Sequence, residues 1–471
     1  MKYLLETYGC QMNKAESAAL ETIFRERGWA PTAELAEADL VLINTCSVRA
    51  TAENRAWGRI DLYAARKRER AFTLVVTGCM AERMKRELKE RQPAVDYVVG
   101  TFQKQAFGLV LDAAEQAAAS GRPPILEIEE SPAFVFARSY YEPGSFRSFV
   151  PIMHGCDNFC AYCIVPYIRG REVSRAPSSI LAEIASLEDS GVRELTLLGQ
   201  NVNSYSWKAK PGAPAEDGLD LDFPGLLRLI SAALKARGQK ASALSASSEE
   251  RGGSAGEEGI RWIRFLTSHP KDLSDEVIRV LAEDPLYCRH VHLCVQSGSD
   301  SVLKAMNRRY TREAYLGLVG RMKAAVPGLS LSSDILVGFP GETEEDLELT
   351  LDLMRRVGFS YSYMYHFNPR EGTPAASMAG RIADKDKRER LARVIELQKR
   401  MSAELMEARV GAVEEVLVES VSKRKKSEVL ARTQRDEMVV FPAPASRVGS
   451  FAKIRLLSLS GNTFKAEELA S

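Results

Sequence analysis

The chain has 471 residues, of which 45% are hydrophobic and 27% charged, with 64 basic side chains against 63 acidic ones for a net charge of +1. That balance excludes a disordered, fibrous or collagen-like chain, and the length predicts about three domains. It also excludes a globally basic nucleic-acid binder, so any RNA contact has to be a local patch.

The opening MKYLLETYGC carries one Lys and a short apolar run that soon turns polar, unlike a secretory signal, and no uninterrupted apolar stretch is long enough to span a bilayer. A cytoplasmic, monomeric chain with no membrane partner is therefore expected. In a reducing compartment the 8 cysteines point to metal ligation rather than to a disulfide framework.

The first segment repeats one unit: an apolar strand, a turn ending in Cys, then a helix. KYLLETYGC ends at Cys10, DLVLINTC at Cys46 and FTLVVTGC at Cys79. The three recur roughly every 35 residues, about one βα unit with its connection. Ligands of an open parallel sheet bind beyond the carboxyl ends of its strands, so all three thiols are predicted to converge on one site. Three unrelated core cysteines are the competing reading.

Residues 112–141, with SGRPP and YYEPG, read as a linker. Strands are then expected near Phe149–Met153, Glu194–Leu198, Ile263–Leu266, His290–Val295, Leu329–Val337 and Phe359–Phe367, separated by amphipathic stretches. This is the pattern of a parallel partial or full barrel with its chemistry at the strand C-termini. The stretch 208–259 interrupts the series, with a helix-like DFPGLLRLISAALKA between two small-residue-rich flanks, and reads as a mobile surface insertion without a catalytic role. DKDKRERLARVIELQKRMSAELMEAR predicts a long connecting helix. From Val410 onward short alternating runs predict a small antiparallel barrel, with Lys423, Arg424, Lys425 and Lys426 in its first connection.

The sharpest motif is HGCDNFCAYC, which spaces Cys156, Cys160 and Cys163 as C-x3-C-x2-C directly after the first barrel strand. Three thiolates can hold three irons of a four-iron cubane and leave the fourth open for chemistry, whereas ordinary ferredoxin clusters have four Cys ligands. A zinc knuckle using these cysteines and His154 is the alternative, but zinc sites usually pair their ligands and no second pair follows. Polar residues also finish strands that should end apolar: Gln200 and Asn201, Ser268 and His269, Gln296 and Ser297, and Asp334. Barrel position makes them candidates for cofactor contacts, with turn or cap roles as the alternative.

The motifs YGCQMN, NTCSVR, VVTGCMAE, CDNFCAYCIVPYIRGREVSR, LLGQNVNSY, TSHP, VQSGSD and DILVGFPGET together make nearly the whole chain resemble the methylthiotransferases, a family of radical S-adenosylmethionine (SAM) enzymes. The resemblance implies an α/β chain in three parts. These are a flavodoxin-like parallel sheet domain over residues 1–118 and a radical SAM partial (βα)6 barrel over 142–404, interrupted near 208–259, followed by an RNA-binding TRAM β-barrel over 408–471. It further implies two 4Fe-4S clusters. One is held by Cys156, Cys160 and Cys163, whose open iron chelates SAM so that an electron yields a 5′-deoxyadenosyl radical. The other is held by Cys10, Cys46 and Cys79 and carries the sulfur to be inserted. Tyr162, Gln200, Gln296 and Asp334 become candidate SAM contacts.

In the subgroup with YGCQMN and NTCSVR the expected product is a methylthio group on carbon 2 of the N6-isopentenyladenosine next to the anticodon, position 37 of a tRNA. The same chemistry on N6-threonylcarbamoyladenosine or on a ribosomal-protein aspartate is the close alternative, and a non-catalytic iron-sulfur RNA-binding protein the distant one. The hydrogen on adenine carbon 2 is not acidic enough for a side-chain base, which accounts for the lack of a Ser-His-Asp or paired-carboxylate pattern. Expected partners are the tRNA anticodon stem-loop, an electron donor such as a flavodoxin or ferredoxin, and iron-sulfur assembly proteins. The basic run Lys423 to Lys426 is assigned to backbone phosphates. Two positions depart from the family pattern, which commonly has Pro where this chain has Ala176 and Cys294. Cys294 and nearby Cys288 are expected to be inert core residues.

Overall fold

The computed structural model describes residues 1–48, 50–129, 134–137, 141, 144–209, 212, 214–246 and 259–469. Five parallel strands open the chain: β1 (Lys2–Thr7), β2 (Ala30–Pro31), β3 (Leu40–Thr45), β4 (Thr73–Gly78) and β5 (Tyr97–Val99). They lie in the order β2-β1-β3-β4-β5, the doubly wound flavodoxin-like arrangement. β3 and β4 are buried at every residue, as strands covered by helices on both faces must be. Helices α1 (Gln11–Glu26), α2 (Ala50–Arg66), α3 (Cys79–Arg91) and α4 (Phe107–Ser120) make the two layers. The expected linker start at residue 112 is corrected by α4, whose Val110, Leu111, Ala113 and Ala114 pack into the sheet before Gly121 ends the helix in the left-handed region. Parts of that linker (130–133, 138–140 and 142–143) lie outside the described residues.

Six further parallel strands form the expected partial barrel. β6 (Arg147–Pro151) is followed by a short antiparallel pair, β7 (Met153–His154) and β8 (Val173–Ser174), that ties off the loop between them. Helix α5 (Val165–Arg169) lies inside this loop, and α6 (Pro177–Asp189) leads to β9 (Glu194–Leu198). A second small hairpin, β10 (Ser206–Trp207) with β11 (Leu221–Asp222), precedes α7 (Phe223–Ala246). Next come β12 (Trp262–Phe265), α8 (Asp275–Glu283), β13 (His290–His292), α9 (Asp300–Ala305), α10 (Arg312–Ala325), β14 (Ser330–Val337), α11 (Glu344–Val357), β15 (Tyr361–His366) and α12 (Asp384–Glu407). Strands β6, β9 and β12 pair as one sheet and β13, β14 and β15 as another, joined by parallel bridges Ile263–Tyr287 and Ser268–Leu293.

Helix α7 corrects the reading of 208–259 as a surface insertion. Its Phe223, Leu226, Leu227, Ile230 and Leu234 are buried in the barrel core, so it is the crossover helix between the parallel strands β9 and β12. Only the flanks are extra, and the low-complexity flank 247–258, expected to be mobile, lies outside the described residues.

The last segment is a closed five-stranded barrel, β16 (Val413–Val421), β17 (Glu428–Thr433), β18 (Met438–Pro442), β19 (Phe451–Ser460) and β20 (Thr463–Glu468), in the order β16-β17-β18-β20-β19. The expected antiparallel pairing holds except between β18 and β20, which run parallel. This barrel docks under the N-terminal ends of the central strands. Arg264 Nη1 and Nη2 donate to Gln434 O (3.0 Å) and Thr433 O (2.8 Å), Tyr361 Oη donates to Asp436 Oδ2 (2.7 Å), Arg261 pairs with Glu415 (2.6 Å), and Trp262 packs edge-on against Phe451.

Candidate functional site: six cysteines around one cavity

In-register pairing aligns the ends of the first sheet's strands, Thr7 beside Asn44 and Thr45 beside Gly78, so Cys46 and Cys79 leave adjacent strands at one level and Cys10 follows just beyond. Cys10 caps α1 and Cys79 begins α3, so both thiols stand at helix N-termini. Two asparagines clamp the turns. Asn13 Nδ2 donates to Asn44 Oδ1 (3.1 Å) and Thr45 O (3.0 Å), and its Oδ1 accepts from Cys10 N (3.2 Å). Asn44 Nδ2 answers with bonds to Asn13 O and Ser17 Oγ, both 2.9 Å. These are the asparagines of YGCQMN and NTCSVR. A Cβ on Gly9 (φ +148°) would stand 2.2 Å from Asn13 Oδ1 and 2.9 Å from Cys46 Cβ, so only glycine lets the turns approach.

The second triad sits on the loop tied off by β7 and β8. Gly155 (φ +78°) passes so close to the returning strand that a Cβ would lie 2.0 Å from Arg171 O. Gln200 Oε1 accepts from Gly155 N (2.6 Å), Cys156 N donates to Gly170 O (3.2 Å), and Arg308 Nη1 reaches Cys160 Sγ at 3.4 Å. Non-glycine residues in the left-handed region gather here: Phe159 in the loop, Thr267 and Gln296 at strand ends, Asn307 and Arg309 around Arg308. Such conformations are costly and cluster where geometry is imposed by a site.

All six cysteines, Cys10, Cys46, Cys79, Cys156, Cys160 and Cys163, line one cavity of about 310 Å³ together with Tyr162, Gln200, Ser268, His269, Cys294, Gln296, Arg308 and Asp334. A neighbouring cavity of about 460 Å³ shares Tyr162, Gln296 and Asp334; its other walls mix apolar side chains, among them Leu336, Met364, Phe367 and Leu391, with polar ones, among them Thr51, His366, Asn368 and Arg370. Burial pushes the thiols of Cys79 and Cys163 up to about 12 and of Cys156 to about 11, because a water-poor site disfavours the thiolate, and positive charge nearby opposes that shift.

Other predicted residues fall differently. Asn201 braces the loops, its Nδ2 donating to Asp272 Oδ2 (2.7 Å) and its Oδ1 accepting from His269 N (3.3 Å). Ser297 is spent on Thr350 Oγ1 and Ser299 N. The basic run Lys423–Lys426 lies in the β16–β17 connection, where Lys425 pairs with Glu428 at 2.9 Å. Cys288 is a packed residue beside Trp262 and Leu417, as expected. Cys294 is not inert packing: it lines the cavity, 3.2 Å from His292 Nε2 and 3.4 Å from Asp334 Oδ2.

Sequence reasoning missed Arg308 and a buried ion network. Arg169 Nη1 donates to Glu16 Oε1 (2.8 Å), Lys104 Nζ pairs with the same oxygen (2.8 Å), and His154 Nδ1 lies 3.4 Å from Arg169. His154 stacks on Phe134 with ring centroids 3.5 Å apart and is absent from the cavity wall, which removes the zinc-knuckle alternative's fourth ligand. Arg308 had no sequence signal beyond standing in a polar NRRY turn.

Strand order, two triads and a capping barrel define a radical SAM protein with an additional cysteine-bearing sheet. Residues 2–100 match the model described as uncharacterized protein family UPF0004, residues 150–354 the radical SAM superfamily and residues 407–467 the TRAM domain. The chain is 46% identical to the tRNA-2-methylthio-N(6)-dimethylallyladenosine synthase of Treponema denticola, with 99% of each chain covered. It is 41% identical to the synthase of that name from Geobacter metallireducens, over 96% of this chain and 95% of that one. Among solved structures, a radical SAM methyltransferase from Kitasatospora setae shares the fold at a TM-score of 0.52 and 16% identity, over 80% of this chain and 77% of that one. The chain belongs to the tRNA-2-methylthio-N(6)-dimethylallyladenosine synthase family.

Proposed function

We propose that this chain is a tRNA methylthiotransferase that converts N6-isopentenyladenosine at position 37 to its 2-methylthio derivative, with two 4Fe-4S clusters and SAM. The observation that carries the reading is the meeting of two separate cysteine triads, from two different sheets, around one cavity.

The residues present fit these groups. Each triad brings three thiols to the wall of one cavity, a donor set that leaves one iron of a four-iron cluster open, and among the described residues neither triad has a fourth protein ligand of the zinc-knuckle kind in that wall beyond the other triad's cysteines and the residues named above. Ser268 Oγ and His269 Nε2 are buried in the wall with no hydrogen-bond partner, as groups awaiting a polar ligand are. Cys156, Cys160 and Cys163 are assigned to the SAM-binding cluster and Cys10, Cys46 and Cys79 to the auxiliary one, with Tyr162, Gln296 and Asp334 as SAM contacts. When bound, the groups supply an electron, a 5′-deoxyadenosyl radical, a methyl group and the sulfur that is inserted.

The chain's own part is positioning and exclusion of water. Gln200 fixes the cluster loop by accepting from Gly155 N, and it lines the same cavity, so it is assigned a positioning role together with the expected SAM contact. Arg308 sets a permanent positive charge beside Cys160. Leu336, Met364, Phe367 and Leu391 give the mixed wall an apolar side that suits a branched five-carbon N6 substituent, with Thr51, His366 and Asn368 as its polar side. Arg370, the guanidinium in that wall, is tied to Glu53 (3.5 Å) and Val48 O (3.1 Å) instead of awaiting the carboxylate of a threonylcarbamoyl group. The Lys423–Lys426 run is assigned to anticodon-stem phosphates. A flavodoxin- or ferredoxin-type donor and iron-sulfur assembly proteins complete the set of partners, in the cytoplasm and with the chain acting as a monomer. No helix among the described residues is long and apolar enough to cross a membrane.

Nucleosides from cells lacking the protein test the substrate. The expected result is loss of 2-methylthio-N6-isopentenyladenosine with accumulation of its unthiolated precursor. Loss of only the threonylcarbamoyl product overturns the assignment.

A further inference from the structure

Side chains two residues apart share a face of a strand, so His290, His292 and Cys294 form one row along β13 and its extension, and Ser330, Ser332 and Asp334 the row beside it. His292 lies opposite Ser332 in the register, which leaves Cys294 and Asp334 side by side one step nearer the cavity. The result is a triangle of ligand atoms: His292 Nε2 to Cys294 Sγ 3.2 Å, Cys294 Sγ to Asp334 Oδ2 3.4 Å, and His292 Nε2 to Asp334 Oδ2 3.7 Å. A tetrahedral divalent ion with one sulfur, one imidazole and one carboxylate ligand needs edges of about 3.6 Å (N–S), 3.5 Å (S–O) and 3.3 Å (N–O), from bond lengths of about 2.3, 2.05 and 2.0 Å, so small side-chain shifts of roughly 0.4 Å or less complete the fit. Among the described residues this is the one group of three or more such ligands whose atoms all lie within 4.8 Å.

The imidazole is oriented for the task. Ser332 Oγ is 2.9 Å from both His292 Nδ1 and His290 Nε2. A serine hydroxyl has one proton, so Ser332 donates to one of the two imidazoles and accepts from the other. When His292 Nδ1–H is the donor, Nε2 is the ring nitrogen that faces Cys294 and Asp334; these neighbours favour the protonated imidazole, and the Nε2 proton leaves as the ion binds. Metal-bound histidines are fixed in this way by a partner on the other ring nitrogen. Thiolate and carboxylate together neutralise a divalent charge, and the Cys294 thiol proton leaves to solvent as the ion binds. We propose that His292, Cys294 and Asp334 form a third metal site, which takes one thiophilic divalent cation of the zinc type in the volume that SAM otherwise fills. Exclusion follows from position, because Cys294 and Asp334 line the same cavity as Gln296 and the six cluster cysteines. The triangle stands on geometry alone, whereas competition with SAM rests on the function proposed above.

The test uses iron-replete enzyme dialysed against buffered Zn²⁺, with zinc and iron counted, the zinc environment read by X-ray absorption at the zinc edge, and SAM binding measured by equilibrium dialysis of labelled SAM. About one zinc per chain is expected, with a single sulfur neighbour and nitrogen or oxygen otherwise, at unchanged iron. Saturating zinc should weaken SAM binding by about tenfold or more. Cys294→Ala and Cys294→Ser should both keep their iron, which reports the fold, and lose the zinc. Zinc that fails to bind, zinc surrounded by several sulfurs, zinc retained by both variants, or SAM affinity indifferent to bound zinc each overturns the proposal. An enzyme that binds zinc as described but never binds SAM refutes the proposed function and the competition, and leaves the metal triangle standing.

Discussion

Arg169 and Glu16 meet across the seam between the first sheet and the barrel, guanidinium to carboxylate at 2.8 Å, with side chains only 3% and 5% exposed. Burial alone would raise the Glu16 carboxyl, but the charges of Arg169 and Lys104 reverse it and hold the group well below the usual carboxylate range. Lys104 shares the same carboxylate, so it is loss of Glu16 that leaves buried charge uncompensated. Glu16→Gln is expected to cost about 3–5 kcal/mol, read in urea unfolding, and to loosen the seam between the two triads.

The cysteine assignments make opposite predictions. Reconstituted wild type should hold about eight irons, and Cys160→Ala about half of them with no 5′-deoxyadenosine formed. Cys46→Ala should keep SAM cleavage and stop sulfur insertion. Retained cleavage in the first variant, or retained thiolation in the second, would refute the corresponding triad.

Gly155→Ala tests the cluster loop without touching a ligand. The new methyl would stand 2.0 Å from Arg171 O at a φ that side chains avoid. Iron content should fall by about half while the auxiliary cluster remains, as counted chemically and by electron paramagnetic resonance.

Acid should loosen the attachment of the last barrel. Burial raises the carboxyl of Asp436, but His290, Arg432 and Arg264 outweigh it and bring it from 3.8 to about 2. A depressed carboxylate contributes stability above its unfolded pKa and loses it as pH falls through the folded one, so the loss runs from about pH 4 to about pH 2. The linkage amounts to about 2 kcal/mol at most. Asp436→Asn should be less stable at pH 7 and show a flatter profile over that window, measured by thermal unfolding.

RNA affinity should depend on the β16–β17 connection. Replacing Lys423, Arg424 and Lys426 with Ala should reduce the dependence of tRNA binding on salt by up to about two to three in logarithmic slope, as measured by filter binding across salt concentrations. Lys425, already paired with Glu428, should matter less. An unchanged slope would show that the run is a solvated loop.

Strand ends and thiol spacing were legible because both obey local periodicities: apolar runs mark β3 and β4, and C-x3-C-x2-C marks its own loop. Helix α7 was misread because small-residue flanks resemble an insertion, while only packing reveals that Phe223 and Leu227 belong to the core. Glu16 and Arg169 stand 153 residues apart, so no window of sequence contains their pairing. The asparagines of YGCQMN and NTCSVR were visible as motif members, yet their clamp on the cysteine turns needs β1 and β3 aligned side by side. For Cys294 the chain shows a cysteine on a strand. Its histidine and carboxylate neighbours come from strand periodicity and from β14, some 40 residues on.

The last barrel is fastened beneath the strands' N-terminal ends, and the Lys423–Lys426 connection lies at the far end of its first hairpin from the Thr433–Asp436 turn that makes the attachment. The cavity opens at the other pole, and β14 alone, with 8 residues, extends about 25 Å between the two. If the Lys423–Lys426 connection contacts RNA as proposed, an RNA that also reaches the cavity has to run down the flank of the enzyme. An isolated anticodon loop would then fill the cavity without reaching the foot, and the length of the attached stem would become a criterion of selection in its own right.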